Sequence, residues 1–357
     1  MKRRAVFRKF RKKRPAPKQA LRRRRKTASK RAPAWTAAAE RAGSRYAVDH
    51  PLPEGESPHR YINTLWYYYS IGEGKQIPPG QAAACGMAFL KGYCTRSGLQ
   101  DENRVPVPTL KSIAAVVTVR NEEDSITGVL GELSRLPLQE LIVVINGSTD
   151  RSFALVRQNR LATIIHYPDS LGHDIGRAIG AKQTTADMVL FLDGDIPVKA
   201  EQLVPFIRAI DLGADVALND VSPYIGSFAY HDGVTMMKEF LNHIQGKPQL
   251  RANSMTAIPH MLSRHAIERI GPANLAVPPK AQALAAQLGL SIVAPASVDV
   301  IKGNKVTRMN TGVSNPVSSM ILGDHMEALH MLMANNGQRL RFEDISRNRR
   351  VLSEGSP

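Results

Sequence analysis

Met188-Val189-Leu190-Phe191-Leu192 runs directly into Asp193-Gly194-Asp195. Consecutive apolar residues stopped by a glycine read as a strand buried on both faces, since a half-exposed strand would alternate. Two carboxylates one residue apart then emerge at the strand's C-terminal end, the edge where open α/β sheets bind ligands. Hard oxygen anions there suit Mg²⁺ or Mn²⁺, and a cation so held suits a diphosphate. Asp-x-Asp also occurs in solvated loops after strands, so the reading depends on its neighbours.

On both sides of this stretch, strands and helices alternate. Residues 113–119, 141–145, 162–165, 188–192 and 214–218 read as strands, and 124–136, 149–158, 172–184 and 201–212 as helices. That pace predicts βαβ units, hence an α/β fold with a mostly parallel central sheet flanked by helices. Beyond it, helices are expected over 231–246, 263–270, 279–288 and 324–334, a strand over 291–294 and a short extended piece over 255–259. Ahead of it, residues 58–100 carry the aromatic run Tyr61 to Tyr69 and an Ala-rich helix over 81–94. The aromatics are expected to pack a small extension onto the main domain; stacking on bases or a lipid interface are the alternatives. Pro and small residues make 32–57 and 101–109 read as linkers. The expected organisation is a disordered basic tail (1–32), a linker and helical extension (33–109), a donor-binding half (110–225), an acceptor half (226–345) and a C-terminal tail (346–357).

The formal charge of +17 is concentrated. Residues 1–31 hold 17 of the 48 Lys and Arg and no acid, which leaves 31 basic residues against 31 acidic ones in the rest of the chain. Like charges repel and little can be buried, so this tail is expected to be disordered. It suits an anionic membrane surface, with Phe7 and Phe10 inserting shallowly; a solubilising tail without a partner is the alternative. No apolar core of a secretory signal follows it, and no run of 18 apolar residues occurs, although an organelle-targeting peptide fits the composition. Two cysteines, Cys85 and Cys94, argue against a disulfide scaffold and a structural zinc site. The expected location is the cytoplasm, either free or peripheral on the inner face of a membrane.

Three strand ends carry the chemistry: Thr118-Val119-Arg120-Asn121-Glu122-Glu123, Asn146-Gly147-Ser148-Thr149-Asp150 and Asp193-Gly194-Asp195. All follow parallel strands, so all project from one edge of the sheet. In this order they resemble the family 2 glycosyltransferases of GT-A fold, most closely over 112–225. That resemblance implies a nucleotide-diphosphate sugar as donor, a UDP-sugar being expected, with Mg²⁺ or Mn²⁺ as cofactor. By position it puts Arg120, Glu122, Asn146 and Asp150 at the nucleotide, Asp193 and Asp195 at the metal and the diphosphate, and Asp195 among the catalytic groups. Arg177, in the stretch from Gly172, is either a diphosphate contact or a helix-surface residue.

Two departures stand out. Where the family carries acids, this chain has Ile145-Asn146. Where inverting members carry a Glu-Asp pair, about eleven residues before a helix-ending glycine, counting back from Gly289 reaches Val277-Pro278-Pro279. Retaining chemistry does without that base, and the order of Ser254 to His260, Ser263 to Ile270 and Ser297 to Val300 is similar to the retaining glucosyl-3-phosphoglycerate synthases. Those enzymes take a third metal ligand from a His shortly after Val-Asp. Here the first His after Asp299 is His325, in Gly323-Asp324-His325-Met326-Glu327, so Asp324 and His325 become candidate acceptor-side acid and base groups. The alternative is a polar helix start capped by Asp324. His260 is either an acceptor contact or a packed histidine. The expected activity is metal-dependent transfer of a sugar to a glycan, lipid-linked or small-molecule acceptor, in cell-envelope, polysaccharide or lipid-linked glycan synthesis. A degenerate member that binds sugar nucleotides without turnover, and a nucleic-acid-binding protein supported only by the tail, are the competing readings.

Overall fold

The computed structural model describes residues 19–100, 103–300, 316–345 and 347. Four aliphatic segments, β1 (Ile113–Val119), β2 (Glu140–Asn146), β3 (Ala162–Tyr167) and β4 (Met188–Asp193), pair in parallel in the order β3-β2-β1-β4. The sheet continues through β5 (Val216–Asn219), β6 (His260–Ser263) and β7 (Ile292–Ala296). β6 lies antiparallel between β4 and β5, and β7 runs parallel to β5 at the edge. The result is the α/β fold with a mostly parallel central sheet that the strand pattern predicts. The extended piece expected at 255–259 is instead the approach to β6, whose few residues are too short for their periodicity to mark the strand.

The N-terminal region differs from the expectation. Residues 1–18 of the basic tail lie outside the described residues. The segment read as linker contributes to α1 (Gln19–Asp49), which packs on α3 (Ala82–Ser97), while the aromatic run forms α2 (Pro58–Ile71). Trp66, Phe89, Tyr69 and Tyr93 are buried together with Ala39 and Ala42 of α1. The Ser44 hydroxyl donates to the Gly92 carbonyl (3.1 Å) and the Tyr93 hydroxyl to that of His50 (2.8 Å). Small residues therefore fit α1 against its neighbour, although from sequence they look like linker. Cys85 and Cys94 are buried free thiols on α3. The second expected linker is also docked: Val105 and Val107 are fully buried, and Asn63 accepts from the Val107 N–H (2.7 Å) and donates to the Thr109 carbonyl (3.2 Å).

Each buried strand sends alternate residues into two cores, as the period of two requires. Ala115, Val117 and Val119 of β1 face α4 (Ile126–Leu133), α5 (Ser152–Val156) and α7 (Ala200–Asp211). Ala114 and Val116 face α6 (Ile175–Gln183), α9 (Arg264–Ile270) and α10 (Pro278–Gln287). α8 (Gly233–Ile244) and α11 (Pro316–Asn336) pack Leu241, Ile244, Ala328 and Leu332 with Ala283 of α10. α11 begins two turns earlier than expected, which brings Pro316 and Val317 to the ligand edge of the sheet. Among the described residues, no helix is long and apolar enough to cross a membrane.

α6 lies unusually close to β1. A Cβ on Gly176 would stand 2.8 Å from Thr118 Cγ2, and one on Gly180 would overlap the Val116 side chain. Only hydrogen at both positions admits the helix at this depth. We expect Gly180→Ala to cost about 1–3 kcal/mol through overpacking. Gly131→Ala, on the exposed side of α4 with nothing near its Cβ, should stabilise by roughly 0.5–1 kcal/mol. Urea unfolding of the two variants tests both signs.

Candidate active site

The chain winds from β1 through β2 to β3, then returns to place β4 on the other side of β1. A crevice opens at such a switch point, outside the C-terminal ends of the two strands. Here it is a cleft of about 580 Å³ lined by Thr118 to Glu122, Asn146, Gly172 to Asp174, Gly176, Asp193, Asp195, Pro316 and Val317. Thr118 and Asp193 are register partners across the crevice, and the threonine hydroxyl donates to Asp193 Oδ1 (2.7 Å). The Gly194 N–H donates to the Thr118 carbonyl (2.8 Å), which ties the turn between the two aspartates to β1.

Arg177 settles one alternative: it is no surface residue. Its side chain is 3% exposed, with Nη1 2.5 Å from Asp174 Oδ1 and Nη2 3.3 Å from both carboxylate oxygens of Asp193. Burial opposes the guanidinium charge, but Asp174 and Asp193 outweigh it and raise the Arg177 pKa. Burial likewise pushes Asp174 up, and the charge of Arg177 with the His173 hydrogen bond more than reverses this, leaving its carboxyl below the usual range. Asp174 holds a left-handed backbone, φ 61°. It precedes α6 without capping it through its side chain, because that carboxylate is used on Arg177 and His173. Sequence reading missed both His173 and Asp174. The available signal was the i,i+3 spacing of Asp174 and Arg177 at a helix start.

The first two motifs clamp each other. The Asp150 carboxylate accepts from the Glu123 N–H (3.0 Å) and the Ser152 N–H (2.9 Å), and the Ser152 hydroxyl accepts from the Glu122 N–H (2.7 Å). Desolvation pushes the Asp150 pKa up, but the hydrogen bonds of Ser152 and the backbone hold it below the ordinary value. Asn121, at φ 56°, accepts from the Thr149 N–H (2.8 Å). Asn146 gives its amide to the loop after β3, donating to the Gly172 carbonyl and accepting from the Leu171 N–H, each at 2.7 Å. Gly147 is required there: at φ 69°, its Cβ would stand 2.8 Å from the Ser170 backbone. Of the residues expected at the nucleotide, Arg120, Glu122 and Asn146 line the cleft with Asp193 and Asp195; Asp150 braces it from behind. Arg177 reaches the cleft through its two carboxylate partners.

The expected acceptor-side residues separate. His260 is buried on β6, stacked on Phe191 with ring centroids 5.1 Å apart, and its Nδ1 lies 3.2 Å from the Ala257 carbonyl. Burial first, then the charge of Arg177, depresses its pKa to about 3. His325 is fully buried, its Nδ1 2.7 Å from the Ile321 carbonyl one turn back, and burial lowers its pKa to about 4. It is not among the cleft-lining residues. Asp324, one residue before, faces the other way: burial and then the charge of Asp174 raise its pKa to about 6, against a lowering by His173. It sits within α11 and so caps nothing. Glu327 pairs with Lys280 at 2.8 Å.

Among the described residues, no three His, Cys, Asp or Glu side chains gather as a metal cluster. Asp193 and Asp195 offer a hard two-carboxylate donor set at the mouth of a solvent-open cleft. That fits a cation which takes its remaining ligands from phosphate oxygens and water, as Mg²⁺ does.

Residues 114–270 match the model for "Glycosyl transferase family 2". The resemblance read from the three motifs is thus supported independently. A curated relative, 4,4'-diaponeurosporenoate glycosyltransferase of Staphylococcus haemolyticus, is 27% identical over 134 residues, 35% of this chain and 36% of that protein. The chain therefore spans about a third of the length of the curated relative it matches. Glucosyl-3-phosphoglycerate synthase of Mycobacterium tuberculosis, crystallised with Mn²⁺, UDP and phosphoglyceric acid, is 16% identical over 66% of this chain and 81% of that one, at a TM-score of 0.46. The same enzyme with Mn²⁺, UDP-glucose and phosphoglyceric acid gives 16% identity, 66% and 82% coverage and a TM-score of 0.45.

The depressed pKa of His260 has a stability consequence. Its imidazole is neutral when folded down to about pH 3 and protonates near the ordinary value of 6.5 when unfolded. The unfolded chain then binds the extra proton, so stability is lost as pH falls from about 6.5 towards 3. His260→Phe, which keeps the stack on Phe191, should flatten that part of the stability–pH curve. Denaturant unfolding at a series of pH values measures the change in slope.

Proposed function

We propose that this chain is a metal-dependent glycosyltransferase that takes a sugar from a nucleoside-diphosphate donor, a UDP-sugar in the first instance. The observation that carries the reading is the crevice between β1 and β4. There the Asp193–Asp195 pair, steadied by Thr118 and Arg177, meets the turns after β1 and β2 at one edge. The family match covers this half of the molecule.

The roles follow from the contacts. Arg120, Asn121 and Glu122 line the nucleotide end, on a backbone locked by Asp150 and Ser152. Asp193 and Asp195 would hold a Mg²⁺ or Mn²⁺ ion, whose Lewis acidity would offset the charge of the leaving diphosphate. Arg177 orients Asp193 from below. The acceptor enters from the side of β6, β7 and α11. Asp324 is the candidate general base: a carboxyl whose pKa is raised to about 6 still ionises near neutral pH and is a stronger proton acceptor than an ordinary one.

A retaining reaction is the second reading, and one observation favours it. The region where inverting members carry acids is here Val277-Pro278-Pro279 at the start of α10, with both prolines buried. The acceptor is a glycan, a lipid-linked sugar or a small molecule. The basic N-terminal segment suits recruitment of a cytoplasmic enzyme to an anionic membrane surface.

Release of nucleoside diphosphate from a panel of sugar nucleotides with Mg²⁺ or Mn²⁺ tests the activity. Asp195→Ala should lower turnover by more than the 10–100-fold typical of an outer-shell partner, about 10³-fold, with little change in folding. Asp324→Asn should lower turnover while leaving nucleotide affinity unchanged. No release from any donor, or full activity in Asp195→Ala, refutes the proposal.

A further inference from the structure

His173 was not anticipated from the sequence and has no part in the scheme above, yet it lines the same cleft as Asp193, Asp195 and Arg120. Its side chain is half exposed, so a ligand in the cleft can reach it. Nδ1 lies 3.1 Å from Asp174 Oδ2. With that nitrogen committed, Nε2 is the ring's remaining donor. Asp174 is itself held 2.5 Å from the buried Arg177, which reaches Asp193. Charges therefore alternate along this chain of contacts: imidazole, carboxylate, guanidinium, carboxylate. A carboxylate fixed by a buried guanidinium cannot turn away, so the ring it holds keeps one orientation.

Two further observations say what the ring is for. The Asp174 carboxylate would ordinarily cap α6; here it leaves that task and serves His173 and Arg177, and its backbone holds a left-handed φ of 61° to do so. Strained backbone of this kind concentrates where ligands are gripped. The ring also stands just ahead of the N-terminus of α6, whose dipole favours an anion at the same place.

We propose that His173, oriented by Asp174, is a cationic contact for the donor's diphosphate, so that the cleft grips the phosphates through a side chain as well as through a metal. The inference rests on the sugar-nucleotide reading of the cleft. The charged groups facing the ring are Asp174 and Arg177 from the α6 region, Asp193 from β4 and Asp324 from α11. Asp174 dominates, through its hydrogen bond and then its charge, and outweighs burial and Arg177, so the imidazolium persists to higher pH than an ordinary histidine. The contact is present at lower pH and lost as pH rises through that raised pKa.

The test is calorimetric binding of UDP, GDP, ADP and CDP with Mg²⁺ to the full chain between about pH 6.5 and 9, above the second phosphate ionisation near 6. For the nucleotide that binds, wild-type affinity should fall about tenfold across the range, the scale of one charge-assisted hydrogen bond. His173→Gln should bind about tenfold more weakly at the low end, with a flat profile. His173→Lys, charged throughout, should bind tightly with a flat profile, an outcome that a purely structural histidine would not give. Asp174→Asn should move the wild-type midpoint to lower pH. If His173→Gln matches wild type in affinity and slope, the role of His173 is overturned and the nucleotide reading stands. If wild type binds none of the four nucleotides, both fall. An unmoved midpoint in Asp174→Asn overturns the orienting role of Asp174.

Discussion

A guanidinium buried between two carboxylates fixes the relation between the parts of the cleft. Arg177 belongs to α6, Asp174 to the turn before it and Asp193 to the end of β4, so this contact ties the loop after β3 to β4. A charge this buried is costly unless its partners are close and well placed, and removing one side of such a group typically costs about 3–5 kcal/mol. With both carboxylates in place the guanidinium is compensated, and with one missing it is compensated only in part. Asp193 is steadied from above by the Thr118 hydroxyl and from below by Arg177, which restricts it to one rotamer before any ligand arrives.

That electrostatic contact depends on an apolar one. Arg177 can reach Asp193 only because α6 lies against β1 with hydrogen atoms at Gly176 and Gly180. Two methyl groups would lift the helix, and with it the guanidinium, away from the strand ends. The packing of two glycines on Thr118 and Val116 thus sets the charge geometry of the cleft. Thr118 has both roles, its methyl group bearing on Gly176 and its hydroxyl on Asp193.

The central strands were legible in the sequence because they are buried on both faces, which turns β1, β2 and β4 into unbroken aliphatic runs. The three motifs were legible because parallel strands must end on the same edge. What the sequence concealed depended on partners far along the chain. α1 looked like linker because its Ala, Gly and Ser acquire meaning only against α3. β6 has too few residues for periodicity, and its place between β4 and β5 is set by pairing rather than by pattern. Adjacent residues Asp324 and His325 looked like one catalytic pair, but a helix turns consecutive side chains about 100° apart. One therefore faces His173 and Asp174, and the other the α8 interior. Asn146 lines the cleft as the resemblance implies, but that its two polar atoms hold Leu171 and Gly172 depends on a loop 25 residues on.

The two halves of the sheet are held by different materials. Around the cleft is a lattice of charges: Asp150 on backbone amides, Arg177 on two carboxylates, His173 on Asp174. Around β5, β6 and α10 the loops are held by neutral amides. Asn219 donates to the Ile258 and Val298 carbonyls and accepts from the Val298 N–H, while Asn253, Asn242 and Gln282 hydrogen-bond one another and the neighbouring backbone. Such amides fix loops without adding net charge. A donor carrying a diphosphate needs compensating charge held in advance, since reorganising it during the reaction would raise the barrier. An acceptor hydroxyl is neutral and needs a shaped wall with one proton acceptor. Asp324 on α11 turns towards that charged lattice, where it feels the charges of Asp174 and His173.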